Sequence, residues 1–308
     1  MSIGKKGCWI NAPAKINLTL EILGRRPDGY HDIRSLLMPL DLCDRLEIRE
    51  APRDVLEVVA DGVEIASIGP AAENLAMRAA GLVRRRAGVP QPLAVSIVKR
   101  IPVGGGLGGG SADAAAMLVA LNQLWGLGWP RETLIGLAQE LGSDVPGLVH
   151  GGAVRLEGRG ERVAAAWPDA AGRIPRLPVL LVNPGIAVST AEVYRSCSGV
   201  LTSERDSYTI VHSALLGGGP RAAAQGLFNG LEAGVFQKHP AVARVAQLLK
   251  AAGAPGVLLS GSGATVFALV EDVGQGERIR RDLPGDLWSR LTWTLPDGVM
   301  AAHGFLEP

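Results

Sequence analysis

Apolar and polar positions in the first third of the chain recur mostly with a period of two. Ile16, Leu18, Leu20 and Ile22 alternate with polar or small residues, the pattern of a half-buried β-strand. Pro27-Asp28-Gly29 then supplies strong turn chemistry. Further strands are predicted over Leu36 to Leu42, Leu46 to Arg49 and Val55 to Ala60. The period lengthens at Asn74 to Arg86, where Leu75, Ala79, Leu82 and Val83 share one helical face. A strand-like run, Leu93 to Ile101, precedes a second helix from Ala112 to Trp125. There Ala114, Met117, Leu118, Leu121 and Trp125 define an amphipathic stripe, with Ser111 placed as its N-cap. A third helix is expected from Arg131 to Leu141, closed by Gly142.

From Ala164 to Pro178 the chain is rich in Ala, Pro and Gly and loses its period. This marks the expected boundary between a first domain, residues 1–165, and a second, residues 176–308. Beyond it a strand (Val179 to Val182), a helix (Val242 to Ala252), a strand (Val266 to Val270) and a last helix near Gly276 to Asp282 follow. The mixture predicts an α+β fold with antiparallel sheet rather than a Rossmann-type array.

Composition narrows the function classes. Hydrophobic residues make up 47% and charged residues 20%, a globular balance, and a formal net charge of +1 gives no expectation of nucleic-acid binding. The arginine clusters at 84–86 and 280–281 are read as solvated helix faces. Cys8, Cys43 and Cys197 are scattered, so neither a disulfide framework nor a zinc site is indicated. Lys5 and Lys6 are followed by no signal-like apolar run, and no stretch approaches the roughly 18–20 apolar residues of a membrane span. The expected location is a reducing cytoplasm.

Seven of the eight residues from Gly104 to Ser111 are small, in the order Gly-Gly-Gly-Leu-Gly-Gly-Gly-Ser. Backbone with few Cβ atoms lets N–H groups approach an anion, and the helix that follows aims its positive dipole end at the same place. Gly104, Gly106 and Gly109 match G-x-G-x-x-G, but no strand with a terminal acid follows at the distance a dinucleotide fold needs. The other phosphate loop, G-x-x-x-x-G-K-[ST], is absent. A phosphate-bearing ligand is expected. Lys15 and Asp144 are the candidates for handling an acceptor, although singly each reads more simply as an edge lysine and a turn aspartate.

Three segments together resemble the GHMP kinase superfamily of galactokinase, homoserine, mevalonate and phosphomevalonate kinases. They are Pro13-Ala14-Lys15-Ile16-Asn17-Leu18, the run from Ile101 to Ala115, and Leu259-Ser260-Gly261-Ser262-Gly263-Ala264-Thr265. Arg26-Pro27-Asp28-Gly29-Tyr30-His31, the double glycine triplet with Ser-Ala-Asp-Ala-Ala, and Gly142-Ser143-Asp144-Val145-Pro146 narrow the likeness. They look like the branch whose acceptor is a cytidine diphosphate-linked methylerythritol of the non-mevalonate isoprenoid route. The resemblance extends from about residue 10 to residue 270 in the same order. It implies two domains: an N-terminal ribosomal-protein-S5-like α/β domain with a left-handed β-α-β crossover, and a C-terminal ferredoxin-like domain.

The resemblance also implies roles. Asp144 would accept the proton of the acceptor hydroxyl, with Lys15 beside it. Gly104, Gly105, Gly106, Leu107, Gly108, Gly109, Gly110 and Ser111, flanked by Pro102, Val103 and Ala112, would wrap the triphosphate of ATP. Asn74 and Leu75 occupy the adenine segment, and Lys99 precedes the loop in the matching way. Tyr30 would stack on the cytosine and His31 would hydrogen-bond its edge, with Tyr194 as the second aromatic. Asn17, on the face of Lys15, would reach the sugar-alcohol group. Mg²⁺ is expected with ATP, but no carboxylate spacing identifies its ligands; Asp113 is read as complementing the helix dipole. One departure stands out: where the family usually has phenylalanine after Asp-Val-Pro, this chain has Gly147. The competing expectations are a homoserine- or mevalonate-type kinase and a non-catalytic nucleotide-binding regulator.

Overall fold

Two long antiparallel strands, β1 (Gly7–Arg25) and β2 (His31–Glu50), form the backbone of the molecule. They are joined at the predicted turn, where Gly29 takes a φ of +84° and Asp28 Oδ1 accepts from the Tyr30 N–H at 3.1 Å. The computed structural model describes residues 7–64, 70–169, 173–197, 199, 201–202, 206–298 and 303–305. Lys5, Lys6 and residues 170–172 of the expected boundary lie outside them.

β3 (Val55–Ala60) leads through α1 (Leu75–Ala87) to a parallel neighbour, β4 (Leu93–Lys99). The glycine run then opens α2 (Gly109–Leu124), followed by α3 (Arg131–Ala138), α4 (Val145–His150) and the hairpin of β5 (Val154–Gly158) and β6 (Arg162–Ala165). The chain next enters a second sheet at β7 (Pro178–Asn183). Four helices come next: α5 (Thr190–Ser196), α6 (Ser207–Gly217), α7 (Pro220–Ala224) and, after the short β8 (Phe228–Asn229), α8 (Glu232–Lys238). The chain continues through α9 (Pro240–Ala251), β9 (Gly256–Leu259), β10 (Val266–Leu269), α10 (Val273–Arg281), β11 (Trp288–Trp293) and β12 (His303–Phe305).

The first sheet has the order β12-β1-β2-β4-β3, with β5 and β6 continuing from the first half of β2 and β8 parallel to β1. The second has the order β11-β7-β10-β9 and is antiparallel throughout, a β-α-β-β-α-β path of ferredoxin-like type. The α+β expectation holds. β12 and β8, late in the chain, return to the edge of β1 opposite β2, β12 at Cys8 and Trp9 and β8 at Thr19 and Leu20. Among the described residues no helix is long and apolar enough to cross a membrane.

β1 is not half-buried. Ile10 and Ala12 pack with α2, Ala14, Ile16 and Leu18 enter a second cluster with β7 and β10, and Leu20 and Ile22 enter a third with α9. Both faces are covered, so its polar positions Lys15, Asn17, Thr19 and Glu21 are buried as well. Leu36–Leu42 and Leu46–Arg49 are one strand, because backbone pairing continues through the polar residues between them. α2 likewise buries every face: Ala112, Ala114, Ala115, Ala116 and Ala120 join Met117, Leu118 and Leu121 in the core. A helix of small residues fits between the sheet and α1, so the expected stripe becomes burial on all sides from Ala112 to Leu118.

Candidate active site

A cleft of about 880 Å³ is lined by the glycine run, the second half of β1 from Lys15, the β1–β2 turn, the Ser143-Asp144 segment and α5. Lys15 is aimed into it by an irregularity of the β1–β2 pairing between Pro13 and Lys15. There the Lys15 N–H leaves the strand ladder and donates to the Leu107 carbonyl at 2.9 Å. Bulges of this kind re-aim side chains beside functional sites. Leu107 and Ala112, expected among the ATP contacts, turn their side chains into the core and do not line the cleft.

Glycine is required in the loop by close approach. Gly106 has a φ of +75°, and a Cβ there would lie 2.2 Å from the Ser260 carbonyl oxygen. The turn after β9 clasps the loop from the second sheet. Ser260 Oγ donates to the Gly106 carbonyl at 3.0 Å, and the Thr265 N–H donates to that of Gly105 at 3.0 Å. α2 starts at Gly109 with Gly108 as its cap, at a φ of +71°. Ser111 is therefore inside the first turn and not the N-cap, because backbone without side chains wraps into helix three residues earlier. Asn74 caps α1 instead: its Oδ1 accepts from the Ala76 N–H at 2.9 Å. Leu75 follows it on the cleft wall, and Pro102 and the half-exposed Val103 form the rim.

Lys15 Nζ is 3.3 Å from Asp144 Oδ2, the lysine buried and the carboxylate one-third exposed to the cleft. Nζ also donates to Asn17 Oδ1 at 2.8 Å, while Asn17 Nδ2 donates to Ser35 Oγ at 2.8 Å. Both ends of the Asn17 amide are thus engaged inside the protein. Asp144 starts α4 without capping it by its side chain, which leaves its carboxylate available. Behind it Gly147 packs flat: a Cβ there would stand 3.1 Å from Leu156 and 3.3 Å from Val154. No phenylalanine fits in that place.

At the other end of the cleft His31 is buried, and its Nε2 has no hydrogen-bond partner among the described residues. Burial first, and the charge of Arg25 second, hold its pKa below the ordinary imidazole value. The Tyr194 ring is tilted against it at 5.6 Å between centroids, and Tyr30 beside it is 55% exposed. Burial, followed by the neighbouring Asp144, raises the Tyr194 phenol above its usual range.

Lys99 points under the loop to two acids. Its Nζ donates to Asp113 Oδ2 at 2.7 Å and to Asp44 Oδ2. Asp44 Oδ1 in turn accepts from the backbone N–H groups of Arg100 and Ile101. Burial opposes the lysine charge, but the two carboxylates outweigh it and keep its pKa above the ordinary value. The same burial pushes Asp113 up to about 7, against the pull of Lys99. Asp113 therefore belongs to this cluster and lies beyond the first turn of α2, where a dipole role would need it. Asp44 carried no motif. Its signal is positional: an acid on the inward face shared by Leu42, Leu46 and Ile48 needs a buried cation.

The chain matches the family described as GHMP kinases N terminal domain over residues 74–153 and GHMP kinases C terminal over residues 211–288. These are the small-molecule kinases whose fold and cleft have just been described. A 4-diphosphocytidyl-2-C-methyl-D-erythritol kinase of Pelotomaculum thermopropionicum is 42% identical over 87% of this chain and 91% of its own length. One of Bacillus cytotoxicus is 40% identical, over 90% of this chain and 92% of its own. The crystal structure of a 4-(cytidine 5'-diphospho)-2C-methyl-D-erythritol kinase, 33% identical, superposes with a TM-score of 0.74 over 93% of this chain and 98% of that one. A homoserine kinase from Cytophaga hutchinsonii, 18% identical and covered 95% on both sides, shares the fold with a TM-score of 0.69. The chain belongs to the 4-diphosphocytidyl-2-C-methyl-D-erythritol kinase family.

Proposed function

We propose that this cleft transfers the γ-phosphoryl group of ATP to the 2-hydroxyl of 4-diphosphocytidyl-2-C-methyl-D-erythritol, with Asp144 as the base. The observation that carries this is the Lys15–Asp144 pair at 3.3 Å, set between the glycine loop and the group of Tyr30, His31 and Tyr194. Phosphoryl transfer asks mainly for positioning and charge stabilisation. The loop N–H groups and the start of α2 face the phosphates of ATP, and Asn74 and Leu75 flank the adenine. Asp144 takes the hydroxyl proton as the oxygen attacks phosphorus. Lys15, steered by Asn17, neutralises charge at the same oxygen. Asn17 is then a positioning residue for Lys15 more than a contact of the acceptor.

Recognition of the cytidine end rests on the unpartnered His31 Nε2. A buried polar atom without a partner is costly, and a base edge would satisfy it. Tyr30 offers an exposed ring for stacking, and Tyr194 closes the pocket beside His31. Mg²⁺ would enter with ATP. Ser111 is a hard oxygen donor on the cleft wall and suits it, whereas Asp144 is committed to the hydroxyl proton and Asp113 is engaged by Lys99. When bound, the ion neutralises charge on the β- and γ-phosphates. The two family units divide within residues 166–175, with β12 rejoining the first sheet.

An ADP-release assay coupled to a spectrophotometric readout tests the assignment. Turnover is expected with the cytidyl acceptor and not with homoserine or mevalonate. Turnover with either of the latter instead would point to another GHMP kinase; ATP binding with no turnover on all three would point to a nucleotide-binding regulator.

A further inference from the structure

Arg159 stands at the tip of the β5–β6 turn, half-buried on the wall of the cleft. The phosphoryl-transfer chemistry does not use it. Its guanidinium carbon lies over the Tyr30 ring, 4.8 Å from the centroid, well within cation–π range. Arg25 and Arg195 line the same cleft but are exposed. The hydrogen bonds of Tyr30 run through its backbone, to Asp28 and Arg26, and leave the ring to be held by packing.

The turn that carries Arg159 is fixed to the segment of the base. The Arg159 N–H donates to Glu161 Oε2. Gly160, at a φ of +114°, lies so close to Ser143 that a Cβ would meet its carbonyl oxygen at 2.5 Å. Ser143 immediately precedes Asp144. A single turn therefore abuts the peptide beside Asp144 and, through one side chain, the exposed aromatic ring at the far end of the cleft.

We infer that Arg159 is a positioning residue for the acceptor that acts through Tyr30. Its guanidinium backs one face of the ring, leaves the other face to the base, and sets the span between that platform and Asp144. The inference rests on the assignment of the cytidyl acceptor to this cleft. A lysine at 159 would keep the charge but lose the planar stack.

The test is steady-state kinetics on the full chain with R159A, R159K, Y30L and the double variant, with melting temperatures recorded for each. R159A should raise the KM for the cytidyl acceptor about three- to tenfold and leave the KM for ATP unchanged. R159K should recover less than half of that loss. In the Y30L background R159A should add nothing further, because the ring it supports is gone. An equal loss in both backgrounds would overturn the inference in favour of direct contact with the acceptor's diphosphate. A lowered melting temperature with a raised KM for ATP would overturn it in favour of a role in the fold. If Y30L raises the acceptor KM and R159A does not, this inference alone fails. If Y30L itself leaves the acceptor KM unchanged, the acceptor assignment falls and this inference with it.

Discussion

Replacing Asp144 by asparagine removes one negative charge and almost no volume. The lost partner sits 3.3 Å from Lys15 Nζ, a distance at which two ions attract by about 5 kcal/mol at an effective dielectric of about 20. Most of that is offset, because the carboxylate side chain is 32% exposed and is hydrated when unpaired. Lys15 also keeps the Asn17 Oδ1 acceptor at 2.8 Å, and Asp144 makes no side-chain cap that asparagine would break. The fold should lose about 1–2 kcal/mol, a shift of a few degrees in melting temperature. Chemistry should lose far more. A positioned base contributes about 10²–10⁴-fold, or about 2.7–5.5 kcal/mol of barrier. The assay is kcat from ADP release at saturating acceptor, with nucleotide affinity measured separately by titration. A kcat within about tenfold of the parent would refute the role of Asp144. A loss of nucleotide affinity in step with kcat would show that the pair holds phosphates instead.

Three further substitutions probe the surroundings. Gly106→Ala places a Cβ 2.2 Å from the Ser260 carbonyl at a φ of +75°, so it should cost about 1–3 kcal/mol of stability and weaken nucleotide binding at least about tenfold; unchanged affinity in a nucleotide titration would contradict the loop's role. Asp44→Ala deprives buried Lys99 of one acid and orphans two backbone N–H groups, a loss of about 3–5 kcal/mol in urea unfolding. An unmoved midpoint would contradict it. His31 has a pKa below its unfolded value, so the fold favours the neutral ring. Its contribution is complete above about pH 6.5 and is lost as pH falls through the depressed folded value. Parent protein should therefore lose stability at acid pH relative to His31→Gln, as read by urea unfolding across pH, and parallel curves would refute this.

The fold was legible where local signals and tertiary packing agree. The turn at Pro27–Gly29, the helix capped by Asn74 and the second-sheet strands at Val179 and Val266 stand close to their predicted places. Expectations failed where packing overrides periodicity. β1 alternates like a half-buried strand, but helices on one side and the second sheet on the other bury its polar residues too. Three consecutive glycines moved the start of α2 ahead of Ser111, which no propensity for serine at caps could reveal. At the site, the Lys15, Asp144 and glycine-run motifs were readable because their chemistry is local to short segments. The joining of Lys99 to Asp44, 55 residues away in sequence, was not: Lys99 stood out only by its place before the glycine run, and Asp44 carries no motif. Arg159 was hidden for the same reason: only the folded β5–β6 turn sets it over Tyr30.

The most direct measurement is the product itself. ATP and 4-diphosphocytidyl-2-C-methyl-D-erythritol are incubated with the protein and followed by phosphorus NMR, with kcat/KM compared against homoserine and mevalonate. The account predicts equimolar ADP and a new phosphate monoester at the 2-hydroxyl, with kcat/KM at least about 10³-fold above either rival acceptor. Phosphate appearing at a different hydroxyl, or comparable turnover of homoserine or mevalonate, would contradict it.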